Sequence, residues 1–210
     1  MTEPGDRDRF VRDVVTAGGD PQAARALFSD VATRYAEAHR RYHTLRHAAS
    51  VAATAISLAP AAGVPDLRAA LLAAWLHDVV YDPRSAGNEE ASAQYATDRL
   101  VRAGVTDGVV ARCAYLVRAT AEHDGAGADT AVLCDADLAI LAADEPDYRR
   151  YAEWVREEYA WVPEADFRVG RAAVLRRLLG RERLFRTPAA AGWEQLARAN
   201  VAAELAALTS

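Results

Sequence analysis

The sequence predicts an all-α protein of about nine to ten helices. Hydrophobic residues make up 51% of the 210-residue chain, and many of them are alanine, the residue with the highest helix propensity. Apolar residues recur every three to four positions nearly throughout, which is the spacing of an amphipathic helix. No alternation of apolar and polar residues continues for more than a few positions, so the sequence predicts no strands.

The first half of the chain contains four predicted helices, each bounded by glycine or proline. The first ends at Gly19. The second has Asp20 as its N-cap and Pro21 at its first helical position. The third stops at Pro60, and the fourth begins at Pro65 and carries a wide apolar stripe. These segments are RDRFVRDVVTAGG (7–19), DPQAARALFSDVATRYAEAH (20–39), TLRHAASVAATAISLA (44–59) and PDLRAALLAAWLHDVVY (65–81).

Six more helices are predicted after Pro83, which breaks the preceding segment. Asn88 and Thr106 are predicted N-caps, and the glycine-rich DGAGAD is a predicted loop. The chain contains no internal repeat and no linker, so residues 1–210 are predicted to form a single domain. The predicted helices cover 88–104, 106–123, 130–143, 146–162, 163–180 and 191–208.

Composition excludes several classes of partner. The chain has 25 basic and 30 acidic residues, a net charge of −5, so bulk charge does not attract nucleic acid or an anionic membrane. No apolar stretch approaches transmembrane length, and the N-terminus lacks the apolar run of a signal peptide. Cys113 and Cys134 form no CxxC pair and are too few for a disulfide framework. These features predict a reduced, cytoplasmic protein.

The segment WLHDVVYD places His77 and Asp78 together in an otherwise apolar helix. Burying an unpaired aspartate costs free energy, and a metal ion is the strongest partner that could offset that cost. A buried His–Asp hydrogen bond or an ion pair with a nearby arginine would serve equally well. The dipeptide alone therefore leaves both interpretations open.

Two further polar motifs lie in apolar helical patterns. RYHTLRHAAS (41–50) contains His43 and His47, and LCDADLAIL contains Asp135 and Asp137. The order His, His-Asp, Asp over residues 40–140 resembles the HD superfamily of metal-dependent phosphohydrolases. YHTLRHA, ATAEH and ADL are similar to motifs of its cyclic-nucleotide phosphodiesterase branch. The whole chain resembles small bacterial HD proteins described as predicted phosphohydrolases.

The resemblance implies an HD-type helical bundle with C-terminal helices packed on the motif core. It also implies that His47, His77, Asp78 and Asp137 bind a metal ion and that His43 protonates the leaving group. Asp135 is the alternative ligand. Positions 135 and 137 are about 200° apart on a helix, so only one should face the ion. We favour Asp137, with Asp135 capping a helix or supporting a ligand.

The chain also departs from the phosphodiesterase pattern. It is shorter than a phosphodiesterase catalytic domain, and Tyr81 follows the His-Asp pair where that branch has histidine. The substrate therefore does not transfer with the motif.

Two carboxylates could assist at such a site. Asp82 follows His77-Asp78 by one helical turn and is a candidate for orienting water, unless the helix ends before Pro83. Glu90 is a candidate for orienting the attacking water or binding a second ion. An exposed glutamate in a first helical turn is the alternative, and we expect it for Glu89 rather than for Glu90.

Three cationic side chains could contact the substrate. His123 is a candidate for a phosphate contact or for a second metal, and a solvated histidine at a helix end is the alternative. Arg156 and Arg171 lie among bulky apolar neighbours, where a partly buried arginine could hold an anionic substrate. Solvated or ion-paired arginines are the alternative for both.

Together these residues predict a metal-dependent hydrolase that cleaves a phosphate ester or anhydride of a nucleotide or small metabolite. Two imidazoles and two carboxylates suit Mn, Fe, Co, Ni, Zn or Mg, with room for a second ion. A two-iron HD-type oxygenase and a non-catalytic ligand-binding HD module are the alternatives. The complete ligand set argues against the ligand-binding module.

Overall fold

A computed structural model describes residues 5–209, and all of their regular secondary structure is helical, with no strand. This confirms the predicted all-α class and the predicted number of helices. Two short 3₁₀ helices, Leu138–Ala142 and Pro188–Trp193, connect some of the α-helices. The ten α-helices are α1 (Asp6–Thr16), α2 (Pro21–Tyr35), α3 (Leu45–Ala62), α4 (Arg68–Leu76), α5 (Asn88–Arg102), α6 (Asp107–Ala119), α7 (Ala128–Asp137), α8 (Glu145–Glu158), α9 (Glu164–Leu179) and α10 (Glu194–Thr209).

Some predicted helix boundaries are confirmed and others are wrong. The Asp20 carboxylate caps α2 by accepting hydrogen bonds from the next two free amides, at 2.8 and 2.9 Å. Helix α3 continues through Pro60 and ends at Gly63, which adopts a left-handed φ of 66°. Pro60 has no N–H to bond the carbonyl of residue 56, and the helix continues for only two more residues after it. Asn88 is the first residue of α5 rather than its N-cap, and its side chain bonds Asp82 instead.

Helix α4 lies at the centre of the molecule. It packs against α1, α3, α6 and α7, and seven of its nine residues are buried. A helix that is apolar on all sides is typical of a protein interior. Trp75 contacts the ring of Phe10 edge-on, and its indole N–H donates to Asp13 at 2.9 Å. Helix α4 therefore ends inside the core, and His77 is the first residue after it.

The predicted helix over 65–81 ends five residues early because other groups take over its backbone hydrogen bonds. The Arg40 guanidinium donates to the carbonyl oxygens of Asp78 and Val79 at 2.7 and 3.2 Å. The Ser92 hydroxyl bonds both the N–H and the carbonyl of Val80, each at 3.1 Å. Buried backbone groups need such partners once a helix stops. The early end turns Asp78 away from the path of the helix.

The C-terminal helices complete the core. Helix α10 packs against α9 and the 3₁₀ helix at Leu138–Ala142, and Asn200 donates to the carbonyls of Leu141 and Ala143 at 2.9 and 2.8 Å. Within residues 5–209, no helix has both the length and the apolar composition needed to cross a membrane.

Candidate metal centre

Four polar side chains from three distant segments meet beside the end of α4. His47 lies in the first turn of α3, His77 and Asp78 follow α4, and Asp137 is the last residue of α7. The Nε2 atoms of His47 and His77 are 3.1 Å apart. Asp78 Oδ2 lies 3.0 Å from His77 Nε2 and 3.6 Å from His47 Nε2. Asp137 Oδ1 lies 3.0 Å from His47 Nε2 and 3.4 Å from His77 Nε2.

These separations fit a shared metal ion. Bonds of about 2.0–2.2 Å to one ion place neighbouring donor atoms roughly 3.0–3.5 Å apart. The donor atoms of His47, His77 and Asp78 all lie within 4.8 Å of one another, and Asp137 Oδ1 approaches both histidines just as closely. His77 Nδ1 lies 3.0 Å from the carbonyl oxygen of Ala74. A hydrogen bond from Nδ1 leaves the Nε2 lone pair free for a metal, as is usual for metal-bound histidine.

The charges of the cluster need a cation. Burial opposes ionisation of Asp78 and Asp137, but the surrounding histidines, with His77 contributing most, together outweigh it and lower the pKa of both carboxyl groups below their usual range. Burial likewise disfavours the imidazolium, yet the two carboxylates raise the pKa of His77 well above its usual value. A proton on His77 therefore balances part of the negative charge in the metal-free chain. A divalent ion would displace that proton, since metal binding requires neutral histidine.

His43 precedes α3 rather than lying one turn earlier on that helix, because the N-cap is Thr44. The ring of His43 is still only 5.9 Å from the ring of His47. Its Nδ1 lies 2.6 Å from Glu158 Oε2, and the Tyr81 ring stacks on it at 4.3 Å. The sequence-predicted proton donor thus lies beside the metal cluster without joining it.

Glu158 is the residue that sequence reasoning missed. It ends α8, is 3% exposed, and accepts backbone hydrogen bonds from residues 41, 42 and 43 at 2.7–3.0 Å. Tyr81 also donates its hydroxyl to Glu158 at 3.0 Å. Burial would raise the pKa of Glu158, but the contacts with His43 and the amides lower it to about 2. Burial would lower the pKa of His43, but Glu158 and Asp78 raise it.

His123 lies on the far side of Asp137 from the other histidines. Its Nε2 is 2.9 Å from Asp137 Oδ2, the carboxylate oxygen that does not face His47 and His77. Its φ of 46° lies in the left-handed region, which few non-glycine residues adopt. The side chain lines the same cavity as His43. His123 therefore supports Asp137 directly.

Asp135, the alternative ligand, faces away from the cluster. It is 1% exposed, and its carboxylate accepts hydrogen bonds from the backbone N–H groups of Arg186 and Thr187 at 2.7–3.0 Å. Both oxygens are occupied in this way, so the prediction of a metal ligand at Asp135 is wrong. The side chain instead anchors the segment that follows α9.

Neither carboxylate proposed to orient water lies at the cluster. Asp82 is exposed because α4 ends at Leu76, and its side chain accepts from the backbone N–H of Arg84 at 2.9 Å. Glu90 is exposed and pairs with Arg118 at 2.5 Å. Glu89 lines the cavity instead, because it lies on the inward side of the first turn of α5. The predicted roles of Asp82 and Glu90, and the preference for Glu90 over Glu89, are therefore wrong.

The two candidate arginines differ in position. Arg156 pairs with Glu164 at 2.9 Å and donates to the carbonyls of Tyr159 and Val162. It lies outside the cavity and holds the loop between α8 and α9, so its predicted substrate contact is wrong. Arg171 does line the cavity, and its guanidinium is bound to Glu204 at 2.7 Å.

Three of the four cluster residues, His77, Asp78 and Asp137, line a cavity of about 580 Å³. Helices α5, α8 and α9, the segment before α5 and the segments after α6 and α8 supply most of the remaining wall. Several aromatic and aliphatic side chains line it: Tyr81, Tyr151, Val155, Tyr159, Val162 and Phe167. A partly apolar cavity with a few converging polar groups is typical of a small-molecule site.

Comparison with family models, with curated proteins and with solved structures found no match to this chain. The geometry of the cluster and its cavity is therefore what indicates a function.

The two aspartates of LCDADLAIL should separate metal binding from folding. We expect Asp137→Asn to abolish the rise in melting temperature that Mn²⁺ gives the wild type, because a bound ion stabilises only the folded state.

We expect Asp135→Asn to lower the metal-free free energy of unfolding by about 1–3 kcal/mol, since buried amides lose their acceptor. It should keep the Mn²⁺-induced rise. Thermal unfolding with and without Mn²⁺ checks both, and the reverse pattern would reassign the ligand.

The pH dependence of stability tests the pairing of His43 with Glu158. Ionised Glu158 stabilises the fold above its ordinary pKa of 4.5, and this contribution is lost as the pH falls toward about 2. Protonated His43 stabilises the fold below its ordinary pKa of 6.5, and this contribution is lost as the pH rises through the raised value. Glu158→Gln should therefore cost most between about pH 4.5 and 6.5, by roughly 2–3 kcal/mol.

Urea unfolding of wild type and variant from about pH 3 to 9 measures that cost. Glu157→Gln is the matched control, because Glu157 is exposed and pairs only with Arg41 at the surface. A cost for Glu158→Gln that does not change with pH would show that the pair is not ionic.

Proposed function

We propose that the protein is a metal-dependent phosphohydrolase of the HD type, acting in the cytoplasm on a phosphate ester or anhydride of a nucleotide or small metabolite. One observation carries the proposal. His47, His77, Asp78 and Asp137 converge with metal-ligand spacing, and the last three of them line one cavity together with His43, which is bound to Glu158. A structural cluster of buried polar groups would not need a cavity or a nearby proton donor.

Four residues would hold the ion through two nitrogens and two oxygens: His47, His77, Asp78 and Asp137. This mixed set suits Mn, Fe, Co, Ni, Zn or Mg. A divalent ion in such a site lowers the pKa of bound water to near neutrality and offsets charge on a phosphoryl group. His77 is held by the Ala74 carbonyl and Asp137 by His123, so the chain orients at least two of the four ligands.

His43 supplies the proton for the departing oxygen. Its Nδ1 is turned toward Glu158 at 2.6 Å, so Nε2 is the nitrogen that donates. The negative charge of Glu158 keeps the imidazole protonated to higher pH, because it raises the pKa of His43. Three backbone amides hold Glu158 in turn. General acid catalysis needs such a donor fixed in place and charged at the working pH.

The two-iron oxygenase is the second candidate, and one observation favours it. Asp137 directs one oxygen to His47 and His77 and the other to His123, the arrangement of a carboxylate that bridges two ions. A second ion would find few other ligands, because His123 is the one further candidate that contacts Asp137, while Asp82 and Glu90 lie away from the cluster. We therefore favour one ion and hydrolysis.

Phosphate release and oxygen uptake decide between these functions. After chelation, added Mn²⁺ should restore release of inorganic phosphate from a panel of alkyl and aryl phosphate esters, and Asp78→Ala should not respond at the same Mn²⁺ concentration. Oxygen uptake by the Fe²⁺-loaded protein, without phosphate release under any metal, would favour the oxygenase. Full phosphatase activity in metal-free protein would overturn the proposal.

His43→Gln should lower turnover of an alkyl phosphate by roughly 10²–10⁴-fold, the usual contribution of one general acid. It should lower turnover of p-nitrophenyl phosphate far less, because p-nitrophenolate departs without a proton. Metal content should stay at the wild-type level, since His43 is not a ligand. Equal losses on both esters, or loss of the metal, would instead assign His43 to substrate positioning or metal ligation.

A further inference from the structure

The cationic side chains around the cavity all have carboxylate partners, whereas two of its carboxylates have no cationic partner. Each cationic or potentially cationic side chain of its wall, apart from the metal ligands, contacts a carboxylate. The pairs are Arg171 with Glu204 at 2.7 Å, His43 with Glu158 at 2.6 Å and His123 with Asp137 at 2.9 Å. None of these cations is left to neutralise a second anionic group.

The Arg171 pair is largely shielded from solvent. Its Nε and one terminal nitrogen bond the two oxygens of Glu204, at 2.7 and 3.1 Å, and the two side chains are 10% and 13% exposed. The same terminal nitrogen donates to the Tyr151 hydroxyl at 3.3 Å. Glu204 also accepts from Tyr148. Arg171 is therefore a fixed part of the wall whose charge is already balanced.

Two carboxylates of the wall have no such partner. Glu89 and Asp166 line the cavity, and within residues 5–209 neither side chain forms a hydrogen bond or ion pair. They lie in the first turns of α5 and α9. A carboxylate there offsets the partial positive charge of the helix N-terminus. Those two helix ends are thus unavailable to an anionic group of a ligand.

Most of the remaining wall is apolar or aromatic, and its other polar side chains, Ser85, Asn88 and Thr120, are uncharged. Tyr81, Tyr151, Tyr159 and Phe167 contribute rings, and three valines complete it. Binding an apolar or aromatic group against such a surface is favourable, because both surfaces are removed from water. Aromatic rings also attract cations.

We propose that this cavity selects phosphomonoesters whose leaving group is apolar or aromatic and carries no negative charge. The inference rests on the proposed hydrolase function and narrows it. One phosphoryl group is held at the metal cluster, and the remainder of the substrate lies against the aromatic wall, near Glu89 and Asp166. Nucleoside di- and triphosphates cleaved at an anhydride would place a charged phosphate leaving group there, so they are disfavoured.

Three aryl phosphates with similar phenol leaving groups and different remote charges test this selection. They are O-phosphotyramine (cationic), 4-ethylphenyl phosphate (neutral) and 3-(4-phosphonooxyphenyl)propanoate (anionic). With Mn²⁺-loaded protein, kcat/KM should be roughly 3- to 30-fold lower for the anionic ester than for the neutral one, the range expected for two partly solvated charges. The cationic ester should equal or exceed the neutral one. Raising the salt concentration should narrow the difference.

The double variant Glu89→Gln, Asp166→Asn should reduce the neutral-to-anionic ratio of kcat/KM toward one. The matched control is Glu90→Gln, Asp147→Asn, which removes the same charge from first-turn positions outside the cavity. The control should keep the wild-type ratio.

The outcomes separate this inference from the proposed function. Hydrolysis of the anionic ester as fast as the neutral one, or an unchanged ratio in the cavity variant, overturns the selection alone. Hydrolysis of a nucleoside triphosphate but of none of the three esters also overturns the selection alone, whereas release of phosphate by the Mn²⁺-loaded protein from neither kind of substrate overturns the proposed function, and the selection with it.

Discussion

The structure depends on one constraint, which is that two carboxylates and two imidazoles are packed together beside the hydrophobic core. Asp78 and Asp137 are mostly buried and lie within 3.6 Å of the nitrogens of His47 and His77. Carboxylates in such a place require a positive partner. A proton on His77 supplies one charge, and a divalent ion would supply two. This requirement explains why three segments distant in sequence converge beside α4.

Most other buried charges in this region hold backbone in position. Arg40, with no side-chain exposure, joins the segment before α3 to the segment after α4 through carbonyls of residues 43, 78 and 79. Glu158 and Asp135 bind backbone amides in the same way. These side chains fix where the cluster residues stand, and their own charges are satisfied by hydrogen bonds. Most of these buried charged side chains therefore position the cluster and its neighbours.

The sequence predicted the helices from local pattern, and it predicted the cluster from polar motifs in apolar helices together with their resemblance to the HD superfamily. Polar residues in apolar helices, as at His77 and Asp137, indicate a shared buried partner. Tertiary contacts, which the sequence does not show, decided the positions of the residues that were predicted wrongly or missed. Asp82 left the predicted helix face because Arg40 and Ser92 replaced the hydrogen bonds of the last turn of α4. Glu158 carried no signal, since an exposed glutamate in EEY would look the same. The side chains of adjacent helical residues point about 100° apart. The sequence does not show which of Glu89 and Glu90 faces the cavity, and the choice of Glu90 was wrong.

Anomalous scattering from crystals soaked in Mn²⁺ tests the central claim most directly. We predict one peak per chain, within about 2.0–2.3 Å of Nε2 of His47 and His77 and of a carboxylate oxygen of Asp78 and Asp137. His43 should lie near that peak without touching it. A peak bound by other residues, or none at these four side chains in well-ordered crystals, would contradict the account.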